Sequence, residues 1–286
     1  MTKQFSTLIT ARQLEDILDQ PALRIFDCRF NLLDENQGIE RFKQGHIIKS
    51  QYADLNKQLA GPVLKHTGRH PLPDKRAFED QLRKWGIDES SQIVVYDDAF
   101  GAIAARLWWL CKWAGIDRVA VLDGGLNEWI ANHNELSKEI VSFKKTKFQA
   151  RYDDRLWVST ETVETLKNDS NTLITDARAT KRFNGETEPI DTRAGHIPGA
   201  VNLPFESNLS AEGRFLSNQE LLGLHQQATE ISKVISMCGS GVTACHNILA
   251  RVHAGLDSGQ LYVGSWSEWI TDANHEIDST VDDGSG

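Results

Sequence analysis

The chain has 286 residues, 40% of them hydrophobic and 25% charged, and its 31 Lys and Arg against 40 Asp and Glu give a formal charge of −9. That length supplies core for two domains of average size, and the acidic balance argues against nucleic acid or an anionic membrane surface as partner, so an anionic substrate would need a local basic pocket. The four cysteines, at 28, 111, 238 and 245, contain no C-x-x-C pair and the nine histidines no ligand spacing, which argues against a zinc site or a disulfide framework and fits free thiols in a reducing compartment.

Met1 to Ser6 carries no basic region followed by an apolar stretch, so no secretion signal is expected and the cytoplasm is the default location. Short apolar runs then predict strands at Leu23–Phe26, Ile93–Tyr96 and Arg118–Leu122. Helical patterns fall between them at Phe78–Trp85 and Ala102–Gly115. The second of these is the most apolar helix of the chain, but it is shorter than the roughly 20 residues that a bilayer needs, so it reads as a buried helix. In the second half, strands are predicted at Thr172–Thr175, Lys233–Ser236 and Gln260–Val263. Continuous β-branched strands alternating with helices imply an α/β fold with mostly parallel sheets covered on both faces.

The halves repeat each other. Asp27-Cys-Arg29 is matched by Asp176-Ala-Arg178, and Gly45-His-Ile47 by Gly195-His-Ile-Pro-Gly199. Val94-Val-Tyr-Asp97 is matched by Val234-Ile-Ser-Met-Cys238, and Gly125-Leu-Asn-Glu-Trp129 by Gly264-Ser-Trp-Ser-Glu-Trp269. The offsets of 149, 150, 141 and 140 residues drift slowly, as expected for one domain duplicated and then adjusted in its loops. The expected division is a first domain over residues 1–140, an ordered connector over 141–155, a second domain over 156–275 and a flexible acidic tail over 276–286.

The segment with most chemistry is Cys238-Gly-Ser-Gly-Val-Thr-Ala244, at the end of an apolar run and the start of a helical pattern. Gly239 and Gly241 admit backbone conformations closed to other residues, so N–H groups can turn inward around the sulfur, and the helix start adds its positive dipole end. Both favour a thiolate, making Cys238 the candidate nucleophile. Cys28, Cys111 and Cys245 read as packing residues.

With these motifs in place, the chain resembles a tandem-domain sulfurtransferase of the rhodanese superfamily over nearly its whole length. The Cys238 loop is similar to the active loop of 3-mercaptopyruvate sulfurtransferases, whereas thiosulfate-preferring rhodaneses carry arginine and lysine where this chain has Gly239 and Ser240. Gly195-His-Ile-Pro-Gly-Ala200, Gly68-Arg-His-Pro-Leu-Pro73 and Leu122-Asp-Gly-Gly-Leu126 also resemble family motifs. The resemblance implies two rhodanese-like domains, the first catalytically silent with Asp97 at the cysteine position. The active cleft would lie at the second domain's loop, facing the first.

It implies transfer of a sulfane sulfur from a small anionic donor, preferably 3-mercaptopyruvate and alternatively thiosulfate, to cyanide or a thiol such as thioredoxin or a small thiol. Transfer would run through a Cys238 persulfide, with no metal or organic cofactor. Ser240 and His70 are the implied proton relay, with Asp54 and Asn56 both candidates to partner His70. Arg182 is the implied carboxylate-binding residue, and Gly239, Gly241, Val242 and Thr243 line the substrate loop. Family mercaptopyruvate enzymes place a second arginine directly after a Glu-Pro pair. Here Glu188-Pro189 is followed by Ile190, leaving Arg193 as the candidate replacement. Arg178, repeated as Arg29, reads equally as a salt-bridge residue, and Trp266 and Trp269 as a cleft wall or as core.

Three rival readings are weaker. Gly239-Ser-Gly-Val-Thr-Ala244 fits a dinucleotide fingerprint, but it comes late in its repeat rather than in the first strand-to-helix turn. A cysteine phosphatase needs an arginine six positions after the cysteine, where this chain has Ala244. A non-catalytic sulfur-binding module is compatible with the lost cysteine at Asp97 but not readily with the retained Cys238 loop.

Overall fold

The structure is a computed structural model and describes residues 4–225 and 231–280. Among the described residues, ten strands form two five-stranded sheets. The first contains β1 (Leu8–Ile9), β2 (Leu23–Asp27), β3 (Ser50–Tyr52), β4 (Gln92–Tyr96) and β5 (Val119–Leu122) in the order β1-β5-β4-β2-β3. The second contains β6 (Trp157–Val158), β7 (Thr172–Asp176), β8 (Val201–Asn202), β9 (Lys233–Met237) and β10 (Gln260–Tyr262) in the order β6-β10-β9-β7-β8. Every pairing is parallel. Adding five to each strand number turns one order into the other, so the duplication read from the motifs is a duplication of topology.

The six strands expected from apolar runs are present. β1, β3, β6 and β8, the edge strands, were not expected: two or three paired residues are too few to show a period. In β4, successive side chains point to opposite faces, yet Ile93, Val94, Val95 and Tyr96 are all fully buried, so both faces of this strand are covered. Helix Lys75–Lys84 starts where the Asp74 carboxylate accepts the N–H groups of Arg76 and Ala77. Helix Ala104–Trp113 is buried at every residue but Lys112, which explains its apolar character on all sides. No helix among the described residues is long and apolar enough to cross a membrane.

The chain divides into two compact units, whose limits differ from a simple cut at the connector. The first comprises residues 1–61, 72–154 and 211–215, and the second 62–71, 155–210 and 216–286. Most of the expected connector therefore belongs to the first unit. Thr146 N–H donates to the Arg83 carbonyl, Arg83 Nε to the Phe148 carbonyl, and Arg151 N–H to the Ala114 carbonyl. Residues 276–280, expected to start a flexible tail, are tied to the second unit. His196 and Asp278 exchange two backbone hydrogen bonds of 2.9 Å, and Thr280 N–H donates to the Asn184 carbonyl at 3.2 Å. Residues 281–286 of that expectation lie outside the described residues.

The repeated motifs have repeated roles. Asp27 and Arg29 form a buried pair in which Arg29 also donates to the Gly45 carbonyl; Asp176, Arg178 and the Gly195 carbonyl do the same. His46 stacks on Phe42 and bonds its carbonyl through Nδ1, and His196 does so with Phe183. These motifs fix the loops that follow β2 and β7. Arg178 is thus a structural cation in the second unit, as Arg29 is in the first.

Candidate active site

β9 delivers Cys238 into the turn before helix Ala244–His253. The turn is held from behind by the loop after β10. Cys238 N–H donates to Ser265 Oγ at 3.1 Å, the Cys238 carbonyl accepts the Trp266 N–H at 3.0 Å, and the Gly239 carbonyl accepts the Ser267 N–H at 2.9 Å. Gly241 has φ +73°, and a Cβ there would stand 2.5 Å from the Val263 carbonyl oxygen, so both backbone and space demand glycine. Val242 is buried, and Thr243 precedes the helix without capping it through its side chain.

The Cys238 thiol is buried, with the residue 2% exposed. Among the described residues no N–H hydrogen lies within 2.5 Å of Cys238 Sγ. The predicted ring of inward donors is instead visible at the matching position of the first unit. There the Asp97 carboxylate accepts N–H bonds from Ala99, Gly101, Ile103 and Ala104 at 2.8–2.9 Å. Burial pushes the Asp97 carboxyl upward from the usual range, and these four donors oppose that push. The physical reason for the difference is reach: a carboxylate oxygen lies two bonds beyond Cβ, and Sγ only one.

Ser240 Oγ lies 2.8 Å from His70 Nδ1, so the serine and histidine named from the sequence do come together. His70 lies in the segment 62–71, which is grouped with the second unit and is tied to the loop after β10. Gly68 N–H donates to Glu268 Oε2 at 3.1 Å and Arg69 N–H to Ser267 Oγ at 3.1 Å. Asp54, in the first unit, accepts the N–H groups of Asn56 and Lys57 and pairs with Lys57 Nζ at 3.2 Å.

Arg182 sits on the short helix Thr180–Phe183. Its Nε and Nη2 form a fork onto the Glu188 carboxylate at 2.8–3.1 Å, and Nη2 also donates to Asp191 at 3.0 Å. Asp191 in turn pairs with Arg69. Burial works against the Glu188 charge, but Arg182 and the N–H groups of Asp191 and Ile190 hold its carboxyl below the usual range. Burial pushes the Asp191 carboxyl up, with Arg69 opposing and Glu188 reinforcing the shift. Arg193 turns elsewhere: its Nη1 donates to the Asp272 carbonyl at 3.4 Å, and its own carbonyl accepts Trp266 Nε1 at 2.9 Å. Trp266 and Trp269 are fully buried core residues.

The other cysteines are buried free thiols. Burial, then the Asp97 and Asp27 carboxylates, push the Cys28 thiol well up, and burial pushes that of Cys111 up to about 12. Cys245 donates to the Gly241 carbonyl at 3.3 Å. The roles of Arg69, Glu188, Asp191 and Ser265 were not anticipated. All four lie within or beside quoted motifs. Arg69 and Ser265 act through contacts between segments far apart in the chain, which no spacing encodes, whereas Glu188 and Asp191 meet Arg182 within ten residues of it.

Comparison with known proteins shows the family. The family described as Rhodanese-like domain matches residues 10–132 and again 159–272. A Pseudomonas aeruginosa protein provisionally named as a 3-mercaptopyruvate sulfurtransferase is 43% identical over 278 residues, covering 94% of this chain and 97% of the relative. A Mycobacterium tuberculosis protein provisionally named as a thiosulfate sulfurtransferase is 35% identical, covering 97% and 98%. The structure of 3-mercaptopyruvate sulfurtransferase from Leishmania major is similar with a TM-score of 0.81 at 30% identity, covering 92% of this chain and 74% of that one.

Proposed function

This chain belongs to the rhodanese-like family, and from that premise we propose that it is a sulfurtransferase carrying sulfur from 3-mercaptopyruvate to an acceptor thiol or cyanide through a persulfide on Cys238. The observation that carries the reading is the Asp97 loop. A carboxylate there fills a ring of four N–H donors. In a persulfide, Cβ–Sγ–Sδ has the same bond count as Cβ–Cγ–Oδ of aspartate. A second sulfur on Cys238 therefore reaches the depth at which the duplicated loop holds a negative atom, while the bare thiol stops short of it. The donor ring suits the negative charge that builds on the transferred sulfur as the S–S bond forms, so it favours the transition state to the persulfide over the resting enzyme.

In the forward step the Cys238 thiolate attacks the donor sulfur. The S–S bond forms as the C–S bond breaks, and the electron pair of that bond leaves as the enolate of pyruvate. The proton from the donor thiol passes through the Ser240–His70 pair, and the enolate carbon gains a proton to become pyruvate. The product is a Cys238 persulfide anion. An acceptor thiolate or cyanide then attacks the outer sulfur and returns the Cys238 thiolate. A protein thiol such as thioredoxin, or a small thiol, is the acceptor class. The four free cysteines support action in a reducing compartment such as the cytoplasm.

Thiosulfate is the second reading for the donor, favoured by the name of the 35% identical mycobacterial relative. Steady-state assays with each donor and cyanide decide between them. A higher kcat/KM for mercaptopyruvate is expected; a clear thiosulfate preference would replace the donor and leave the persulfide chemistry standing.

A further inference from the structure

The Cys238 loop is flanked by two cations, of which the sequence singled out one. If Gly239 carried a Cβ, its three nearest heavy atoms would be Arg69 Nη2 at 2.9 Å and Arg182 Nη1 and Nη2, both at 3.6 Å. Both guanidiniums are anchored on carboxylates. Arg182 uses Nε and Nη2 on Glu188 and Asp191, and Arg69 uses Nη1 on Asp191. Arg69 Nη2 and Arg182 Nη1 have no hydrogen-bond partner among the described residues, and Arg69 Nε is buried without one. Gly239 brings no side chain to either.

The first unit shows what such an arginine takes. Arg41-Phe42 corresponds to Arg182-Phe183, because Phe42 stacks on His46 as Phe183 does on His196. Arg41 binds the carboxylate of Asp98 at 2.8 Å, and Asp98 occupies the loop position that Gly239 occupies in the second unit. The duplicated arginine therefore pairs with a carboxylate borne by the residue after Asp97, whereas at the equivalent point after Cys238 the chain supplies none.

We propose that Arg69 and Arg182 together clamp the carboxylate of the sulfur donor beside Gly239, with Arg69 serving as the second arginine that the chain lacks at Ile190. This rests on the sulfurtransferase reading and assigns that site's selectivity. Asp191 links the two guanidiniums and fixes their spacing. Two cations converging from separate segments, 62–71 and 180–183, suit a planar carboxylate that accepts one N–H on each oxygen. Arg193, directed at the Asp272 carbonyl, is not needed for the task.

The test compares wild type, Arg69→Ala and Arg69→Lys with two donors. One is 3-mercaptopyruvate; the other is mercaptoacetone, which keeps the thiol and ketone but has a methyl group in place of the carboxylate. Pyruvate serves as an unreactive competitive probe. For Arg69→Ala, KM for mercaptopyruvate and the inhibition constant of pyruvate should each rise by roughly 10- to 100-fold, the scale of a lost charge-assisted hydrogen bond. KM for mercaptoacetone should rise by a much smaller factor than KM for mercaptopyruvate, and Arg69→Lys should recover part of the loss. An equal loss with both donors, an effect on kcat alone, or unaltered pyruvate inhibition would overturn the assignment. Arg69→Lys keeps the charge and the stem, so it still decides the matter, by its smaller rise in KM, if the alanine variant fails to fold. Wild type that turns over neither donor would instead remove the sulfurtransferase reading itself.

Discussion

The loops after β4 and β9 descend from one ancestor and differ in a way that explains both. In the first, Asp97 turns its own carboxylate into a ring of N–H donors and Asp98 gives a second carboxylate to Arg41. In the second, Cys238 ends short of hydrogen bonding and Gly239 offers Arg182 nothing. Backbone anchoring is shared: the Asp97 carbonyl accepts the Leu126 N–H at 2.8 Å, as the Cys238 carbonyl accepts that of Trp266 at 3.0 Å. One loop is thus satisfied by its own side chains, and the other supplies neither carboxylate.

The comparison can be broken most sharply at Cys238. Cys238→Ser should lower sulfur transfer by roughly 10⁴- to 10⁶-fold, as loss of a covalent nucleophile does. Cys238→Asp should be equally inactive yet at least as stable as the serine variant, because its carboxylate can reach the donors; urea unfolding of both proteins checks this. At Asp97 the converse holds. Asp97→Ala leaves buried N–H groups without acceptors and should destabilise the protein by about 3–5 kcal/mol, read from the urea midpoint, with Cys238 chemistry retained in the folded fraction.

Acid acts on the second unit through His225. Burial, and then the Arg251 charge, lower its pKa from 6.5 to about 4, and its Nε2 donates to Asn208 Oδ1 at 2.9 Å. Because the folded value lies below the unfolded one, the neutral histidine's stabilisation is complete above about pH 6.5 and is lost as pH falls towards 4. The difference is worth about 3 kcal/mol. Wild type should lose this between pH 7 and pH 4 in denaturant titrations, and His225→Gln should show a flatter profile. His70→Ala and Ser240→Ala should each slow the donor half-reaction by about 10²-fold, within the range for a proton relay. Smallest is Cys111→Ser, which buries a hydroxyl for a thiol and should cost about 1–2 kcal/mol of stability while leaving transfer intact.

How much of this was legible before the structure depended on the range of each interaction. The central strands and the helix Ala104–Trp113 announce themselves because continuous burial demands continuous apolar residues. The edge strands have no such signature. The duplication could be read from Asp-x-Arg and Gly-His-Ile because each motif closes a local hydrogen-bond set, Arg29 and Arg178 both returning to a glycine carbonyl. The Ser240–His70 pair was reached through resemblance alone, since 170 residues separate its members. Arg69 was visible in its motif but mute, because its meaning comes from lying beside Gly239 and Asp191. Arg193 was legible from its closeness in sequence to Glu188, but the direction of its side chain, toward the Asp272 carbonyl, was not.

The central claim is that a second sulfur on Cys238 enters the donor ring that Asp97 fills in the other unit. The direct measurement is a crystal structure of the protein after treatment with 3-mercaptopyruvate in the absence of acceptor. The account predicts one added sulfur on Cys238 Sγ, within hydrogen-bonding distance of the N–H groups between Ser240 and Cys245. An added sulfur pointing away from those groups, or found on Cys245 instead, would contradict it.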